Sequence, residues 1–99
     1  MADVLIKHTV QDFEAWKSAF DEHASTRMEY GSQGYRLFTV ADDPNEVVVL
    51  FEWDDAENAR RFLEESGLRE VMDEAGVVGD PEIYFLDEME AKSPEPSMA

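Results

Sequence analysis

The chain has 99 residues, enough for one domain with a modest hydrophobic core. Twenty-four acidic residues against eight lysines and arginines give a formal net charge of −16, which disfavours nucleic-acid binding because no basic stripe is present to neutralise phosphates. The absence of cysteine excludes disulfides, thiolate metal sites and thiol nucleophiles.

The acidic residues are spread along the whole chain, which indicates a solvated surface. Self-repulsion at this charge favours screening by salt, so we expect a salt-adapted, halophilic protein. The alternatives are a nucleic-acid mimic and a surface that binds a basic partner. No apolar run approaches the ~20 residues of a membrane span. The first residues, 1–8, have neither a basic leader nor a long apolar core, so we expect a cytoplasmic protein without membrane contact.

The first half of the chain predicts a strand, a helix and a second strand. Residues 4–10 alternate as a strand that places Ile6, His8 and Val10 on one face. Asp12 is a candidate cap for one helix from Phe13 to about residue 30, ended by the glycines at 31 and 34. Its expected apolar face contains Phe13, Trp16, Phe20 and Met28. Residues 35–40 form the second strand.

The second half begins with the most apolar stretch, residues 47–53, which predicts a central strand over 46–53 joined to the second strand by a hairpin. Asp54 and Glu57 resemble a capping box that opens the second helix. Its expected buried stripe is Ala56, Ala59, Phe62 and Leu63. A short helix over 68–75, a turn at 79–81 and a last strand over 82–86 follow. The acidic, proline-containing residues 88–99 predict a disordered tail.

This order, βαββαβ, predicts an α+β ferredoxin-like domain over residues 1–87 with a four-stranded antiparallel sheet. Two helices cover one face of such a sheet. The central strand, however, is apolar on both faces, with Val48 and Leu50 on one side and Val47 and Val49 on the other. The same face of a second copy is the economical cover, so we expect a homodimer that forms a barrel.

The element order, the Phe51–Asp55 junction and the segment 67–70 resemble the dimeric α/β-barrel superfamily, particularly antibiotic-biosynthesis-monooxygenase-like domains. The opening 6–10 is also similar to that of stress-responsive barrel proteins and polyketide-type cyclases, whose first strand often carries a histidine such as His8. The resemblance implies a pocket between sheet and helices. The superfamily includes cofactor-independent oxygenases, haem-degrading enzymes, isomerases and cyclases, so fold alone does not select an activity.

Candidate catalytic residues are His8, Arg36 and Glu52. His8 points to an apolar environment and suits proton transfer near neutral pH, although a hydrogen-bonded core histidine is the simpler interpretation. Strand alternation places Arg36 with Phe38, and Glu52 with the apolar residues at 48 and 50. If these faces coincide, the three side chains converge together with Tyr84, either as a site or as an ion pair across the dimer.

Candidate substrate-binding residues follow a helical stripe. Trp16 and Phe20 are core residues or the walls of an aromatic pocket, whereas His23 and Arg27 lie where that pocket opens to solvent. Trp53 at the end of the central strand is a packing residue or a further wall.

No cofactor or metal is expected. The acid pairs at 42–43 and 54–55 suit turns and caps better than metal binding, and Asn45 and Asn58 do not reproduce the Asn, Trp and His set of the haem-degrading relatives. The second histidine of the cyclases also has no counterpart. The resulting hypothesis is a cofactor-independent monooxygenase-like enzyme acting on an apolar or aromatic substrate. The alternatives are a non-catalytic ligand-binding or stress-related homodimer that uses the same cavity, and a purely structural dimer whose cavity is filled by side chains.

Overall fold

A computed structural model describes residues 2–92. It has four strands and four helices in the order βααββααβ: β1 Ala2–Val10, α1 Phe13–Glu22, α2 Ala24–Tyr30, β2 Ser32–Val40, β3 Asp43–Trp53, α3 Ala56–Glu65, α4 Leu68–Glu74 and β4 Val77–Leu86. The second helical region is a pair of helices, as predicted, whereas the first, predicted as one helix, is also a pair. The predicted ferredoxin-like α+β order is confirmed.

The four strands form one antiparallel sheet in the order β2-β3-β1-β4. The central pair, β1 and β3, places Ile6 opposite Val49 and His8 opposite Val47. Because side chains alternate along each strand, this register puts His8 on the same face as the odd-numbered residues of β3.

The helices cover that face and bury it. The core contains the alternating residues of β1 and β3 packed against aromatic residues of α1 and α3, namely Val4, Ile6, Val10, Val47, Val49, Phe51, Trp53, Trp16, Phe20 and Phe62. On the opposite face, Leu5, Val48 and Leu50 are only half buried, and Phe38 and Tyr84 are exposed. We call this second surface the open face.

The predicted single helix over 13–30 is wrong in one respect, since it breaks at His23. His23 has φ −90° and ψ 4°, and its backbone N–H donates to the carbonyls of Ala19 and Phe20. After the break, Arg27 is buried and Met28 is 71% exposed. Met28 therefore does not belong to the expected apolar face.

The start of α3 also differs from the prediction. Asp55, rather than Asp54, is the N-cap, and its carboxylate accepts a hydrogen bond from the backbone N–H of Asn58. Asp54 instead accepts hydrogen bonds from the backbone N–H of Asp55 and from the Asn58 side chain. Ala56 is exposed, and the buried residues of this helix are Ala59 and Phe62.

The last strand begins five residues earlier than predicted. The segment 79–81, which suggested a turn, lies inside β4 where the register with β1 shifts between Lys7 and Thr9. Pro81 is tolerated there because β4 is an edge strand with one side free of ladder hydrogen bonds. No helix within residues 2–92 is long and apolar enough to cross a membrane. Residues 93–99 of the predicted tail lie outside the described part of the chain.

Candidate functional site

An apolar cavity of about 40 Å³ lies between the helical layer and the sheet. Its floor is formed by β1 and β3, one wall by α1, and the other by α4 and the end of α3. The cavity is lined by Ile6, His8, Trp16, Ala19, Phe20, His23, Arg27, Val49, Phe51, Phe62, Leu68, Val71, Met72 and Ala75. The predicted stripe of Trp16, Phe20, His23 and Arg27 therefore does face a common space.

The aromatic wall is built by Trp16 and Phe20, which recur four residues apart on α1. Their rings are stacked, with centroids 4.8 Å apart and planes inclined by 24°. The wall continues to Phe51 on β3, whose ring centroid lies 6.1 Å from that of Phe20. These rings pack on one another and give the cavity an aromatic lining.

Arg27 is the cation of this cavity and is only 4% exposed. Its Nη1 donates to the carbonyl oxygen of Phe20 at 2.8 Å, and its guanidinium carbon lies 3.9 Å from the centre of the Phe20 ring. Within residues 2–92 it forms no ion pair with a carboxylate. Burial lowers the pKa of Arg27, while Tyr35 and Asp21 oppose that shift from a distance. A buried guanidinium without a carboxylate is a receptor for a negatively charged oxygen.

His8 is 6% exposed and lies beside Trp16, with the two ring centroids 5.4 Å apart in an edge-to-face arrangement. Neither Nδ1 nor Nε2 has a hydrogen-bond partner within the described residues. Burial lowers the pKa of His8, and the negative charge of Glu46 opposes this in part. The imidazole is therefore neutral at neutral pH and has a free lone pair with which to accept a proton.

The rim of the cavity consists of half-buried residues from α1, the break after it and α4, among them Ala19, His23 and Met72. Burial and the nearby charge of Arg27 lower the pKa of His23. The enclosed space suffices for a few water molecules but not for an aromatic ring. A substrate must therefore displace part of the rim. The helix α4 is the candidate, since none of its residues is fully buried.

The expected convergence of His8 with Arg36 and Glu52 does not occur. The register places Arg36 opposite Leu50, and Glu52 opposite Asp3 and Gly34, so both belong to the open face. Tyr84, opposite Leu5, shares that face, and its hydroxyl donates to Glu82 at 2.8 Å. Only His8 was grouped wrongly with the other three, because alternation along a strand does not show which faces of neighbouring strands coincide.

Trp53 is 1% exposed and packs against Phe62 at a centroid distance of 5.1 Å, outside the cavity lining. The cavity is also lined by Leu68, Val71 and Met72 of α4, which the sequence analysis placed on a short helix and not in the site. The sequence signal that could have indicated their place in the lining was their spacing on one face of a short helix. Within residues 2–92, no group of three or more His, Cys, Asp or Glu side chains is arranged to hold a metal ion.

The sequence model of the antibiotic biosynthesis monooxygenase family matches residues 4–74. The chain belongs to this family. The match spans β1 to α4 and thus every element that lines the cavity. No match was found among curated proteins.

Solved structures support the same fold assignment. SnoaB, a cofactor-independent oxygenase from Streptomyces nogalater, superposes with a TM-score of 0.71 at 19% identity, covering 95% of this chain and 97% of SnoaB. A putative antibiotic biosynthesis monooxygenase from Bordetella bronchiseptica gives a TM-score of 0.76 at 13% identity, and the superposition covers 90% of this chain and 97% of that protein. A putative antibiotic biosynthesis monooxygenase from Nitrosomonas europaea gives a TM-score of 0.68 at 16% identity, and the superposition covers 91% of this chain and 100% of that protein. At these identities, the similarity establishes the fold and not the reaction.

Proposed function

We propose that the protein is a small-molecule enzyme of the cofactor-independent oxygenase type, acting on an apolar or aromatic substrate in the cavity between helices and sheet. The observation that carries the proposal is the presence of two buried polar side chains in one apolar cavity: His8, whose ring nitrogens have no hydrogen-bond partner among residues 2–92, and Arg27, which has no carboxylate partner there. Such groups destabilise a fold unless something binds them, and they are therefore typical of sites. Family membership and the similarity to SnoaB support the same activity.

Each cavity side chain has a distinct role. Trp16 and Phe20 contact the substrate ring and exclude water. His8 removes a proton from an activated C–H or O–H group, and Arg27 stabilises the negative charge that develops on a ring oxygen. Dioxygen then oxidises the electron-rich ring. At an activated CH₂ group, one oxygen atom becomes the new carbonyl and the other leaves as water, so the substrate supplies all the electrons.

The direct test measures oxygen uptake with a panel of quinol-like and anthrone-like aromatic compounds. We expect uptake by the unmodified protein and a loss of about 10²-fold or more in His8→Phe and Arg27→Met. Arg61→Met is the matched control, because Arg61 is an exposed arginine on α3. The oxygen-uptake rate of this variant should equal that of the unmodified protein.

Two outcomes would contradict this function. Retention of the ligand without oxygen uptake across the panel would favour the non-catalytic ligand-binding or stress-related protein. An unchanged rate in His8→Phe would remove His8 from the reaction.

We further propose that the protein is a homodimer whose open faces pack together. The open face exposes Phe38 and Tyr84 beside the half-buried Leu50, an apolar surface that a second copy would cover. Arg36 and Glu52 then become candidates for an ion pair across the interface. Glu52→Gln should weaken the dimer, measured by light scattering at several protein concentrations, without changing ligand uptake. A change in ligand uptake with an intact dimer would contradict this placement.

A further inference from the structure

Met72 differs from the other residues of the cavity lining because its side chain contains sulfur. Among the described residues it is the one methionine that lines the cavity, and the chain has no cysteine. It lies half-buried on the rim helix α4. Met28 and Met89 lie outside the cavity and are 71% and 90% exposed. The described residues therefore include one shielded thioether at the site and two exposed thioethers elsewhere.

The proposed reaction produces an oxidant that a thioether can reduce. When dioxygen adds to the electron-rich ring, the product is an organic hydroperoxide, whose O–O bond must break before one oxygen leaves as water. A thioether breaks the same bond without a cofactor, because its sulfur accepts one oxygen atom and becomes a sulfoxide. Exposed methionines usually react first, since oxidation follows access. A hydroperoxide that forms inside the cavity, however, meets Met72 before it can reach Met28 or Met89.

We propose that Met72 is a redox modification site: a hydroperoxide formed in the cavity, or admitted to it, converts Met72 to the sulfoxide, which releases helix α4 and stops the reaction. This inference rests on the proposed function, to which it adds a form of regulation. In the oxidation step, a sulfur lone pair forms a bond to the terminal oxygen of the hydroperoxide. The O–O bond breaks, and the terminal proton moves to the inner oxygen to give an alcohol. Sulfur loses two electrons, and the peroxide gains them.

The position of Met72 explains why the sulfoxide releases α4. Met72 shares the inner face of this helix with Leu68 and Val71, which also line the cavity. A sulfoxide is strongly polar, so the oxidised side chain is favoured in water and disfavoured in this apolar lining. Helix α4 is held weakly, because it has no buried side chain and no side-chain N-cap, and its one ion pair among residues 2–92, Arg69 with Asp80, is exposed. The helix therefore gives way and water enters the cavity. Enzymes that reduce methionine sulfoxide restore the thioether, so the change is reversible.

The first test compares two oxidants on the unmodified protein and locates the sulfoxide by peptide mass spectrometry. Hydrogen peroxide is small and polar and attacks from water, so Met28 and Met89 should react before Met72. Cumene hydroperoxide is apolar and aromatic and resembles a ligand of the cavity. With it, we expect the ratio of Met72 to Met89 oxidation to be about tenfold higher than with hydrogen peroxide. An equal or lower ratio with cumene hydroperoxide would overturn the proposal.

The second test measures hydrogen exchange after treatment with cumene hydroperoxide. The amides of α4 should exchange faster in the oxidised protein, those of α3 should not change, and a methionine sulfoxide reductase should reverse the effect. Met72→Leu should show no such increase, whereas the matched control Met28→Leu should respond like the unmodified protein. Unchanged or slower exchange of α4 in protein that contains Met72 sulfoxide would overturn the proposal, as would an increase in Met72→Leu.

Oxygen uptake separates this proposal from the proposed function. For each protein, the rate after treatment is compared with that of an untreated sample of the same protein. It should fall about tenfold or more in the unmodified protein and in Met28→Leu, and persist in Met72→Leu. A rate that persists in unmodified protein with oxidised Met72 would overturn the proposal. Because the first two tests use added hydroperoxide, selective oxidation of Met72 in a protein that consumes no oxygen would contradict only the oxygenase function.

Discussion

At the scale of single residues, two side chains of the cavity, Arg27 and His8, are buried without the polar partners that such groups usually have. Arg27 has one hydrogen bond, to a backbone carbonyl, and no carboxylate partner among residues 2–92. A buried charge of this kind loses more hydration energy than the surrounding aromatic rings return. His8 likewise leaves two ring nitrogens unpaired within the described residues. Both are the type of conflict between stability and local environment that accompanies function.

Replacing Arg27 with methionine should stabilise the protein. Methionine fills a similar volume and packs on Phe20 without the desolvation cost, so we expect the free energy of unfolding to rise by about 1–2 kcal/mol. Arg27→Ala should lower it by about 2 kcal/mol or more, because it leaves a void. Urea denaturation at fixed salt measures both. A loss of stability in Arg27→Met would show that the guanidinium holds the fold together.

Acidification should destabilise the protein partly through His8. Its folded-state pKa is lowered, so below the ordinary histidine value of about 6.5 the unfolded chain takes up a proton that the native state resists. Stability due to the neutral imidazole is complete above that pH and falls as the pH drops through it. The unmodified protein should therefore lose stability below pH 6.5 relative to His8→Phe, so the unfolding free energy of His8→Phe minus that of the unmodified protein should increase as the pH falls. The effect of His23, whose pKa is lowered in the same direction, is common to both proteins. A constant difference would contradict this assignment.

At the scale of helices and strands, two glycines with positive φ lie next to helices in different environments. Gly31 follows α2 with φ 114°, and a Cβ there would collide with the carboxylate of Asp54. Gly67 precedes α4 with φ 77° and has open space around it. Gly67→Ala should cost about 1 kcal/mol from backbone strain alone, and Gly31→Ala should cost more. Equal losses in urea denaturation would show that Asp54 yields freely.

The rim helix α4 should open more readily than its neighbour α3. It has seven residues, no side-chain N-cap and no buried side chain, whereas α3 is capped by Asp55 and anchored by Ala59 and Phe62. Hydrogen exchange should therefore be faster for the amides of α4 than for those of α3, and a bound ligand should slow it. Equal exchange rates in the two helices would place the entrance elsewhere.

The elements and their burial could largely be predicted from the sequence, because spacing of apolar residues reports one face of one element. The stripe of Trp16, Phe20 and Arg27 and the inward direction of His8 followed from it. The break at His23 could not be predicted, since nothing at that position forbids a continuous helix. The grouping of Arg36 and Glu52 with His8 failed for a different reason. It required the register between strands, which local patterns do not contain.

At the scale of the whole molecule, the charge of −16 predicts that stability depends on salt. Three ion pairs form among the described residues, and all three lie at the surface. They therefore offset little of the repulsion between acidic side chains. Raising KCl from dilute buffer towards 1 M should increase the free energy of unfolding, measured by thermal or urea denaturation. Full stability in dilute buffer would contradict salt adaptation and leave a basic partner as the better explanation for the acidic surface.

The hydrogen bond from Arg27 to the Phe20 carbonyl has a consequence for ligand size. The hydrogen bond attaches the cation to α1, so Trp16, Phe20 and the positive charge form one mechanical unit. When α4 moves to admit a larger ring, these three groups keep their positions relative to one another and to His8. Ligands of different thickness then meet the same arrangement of cation and rings, and the displacement of α4 is the variable that distinguishes them.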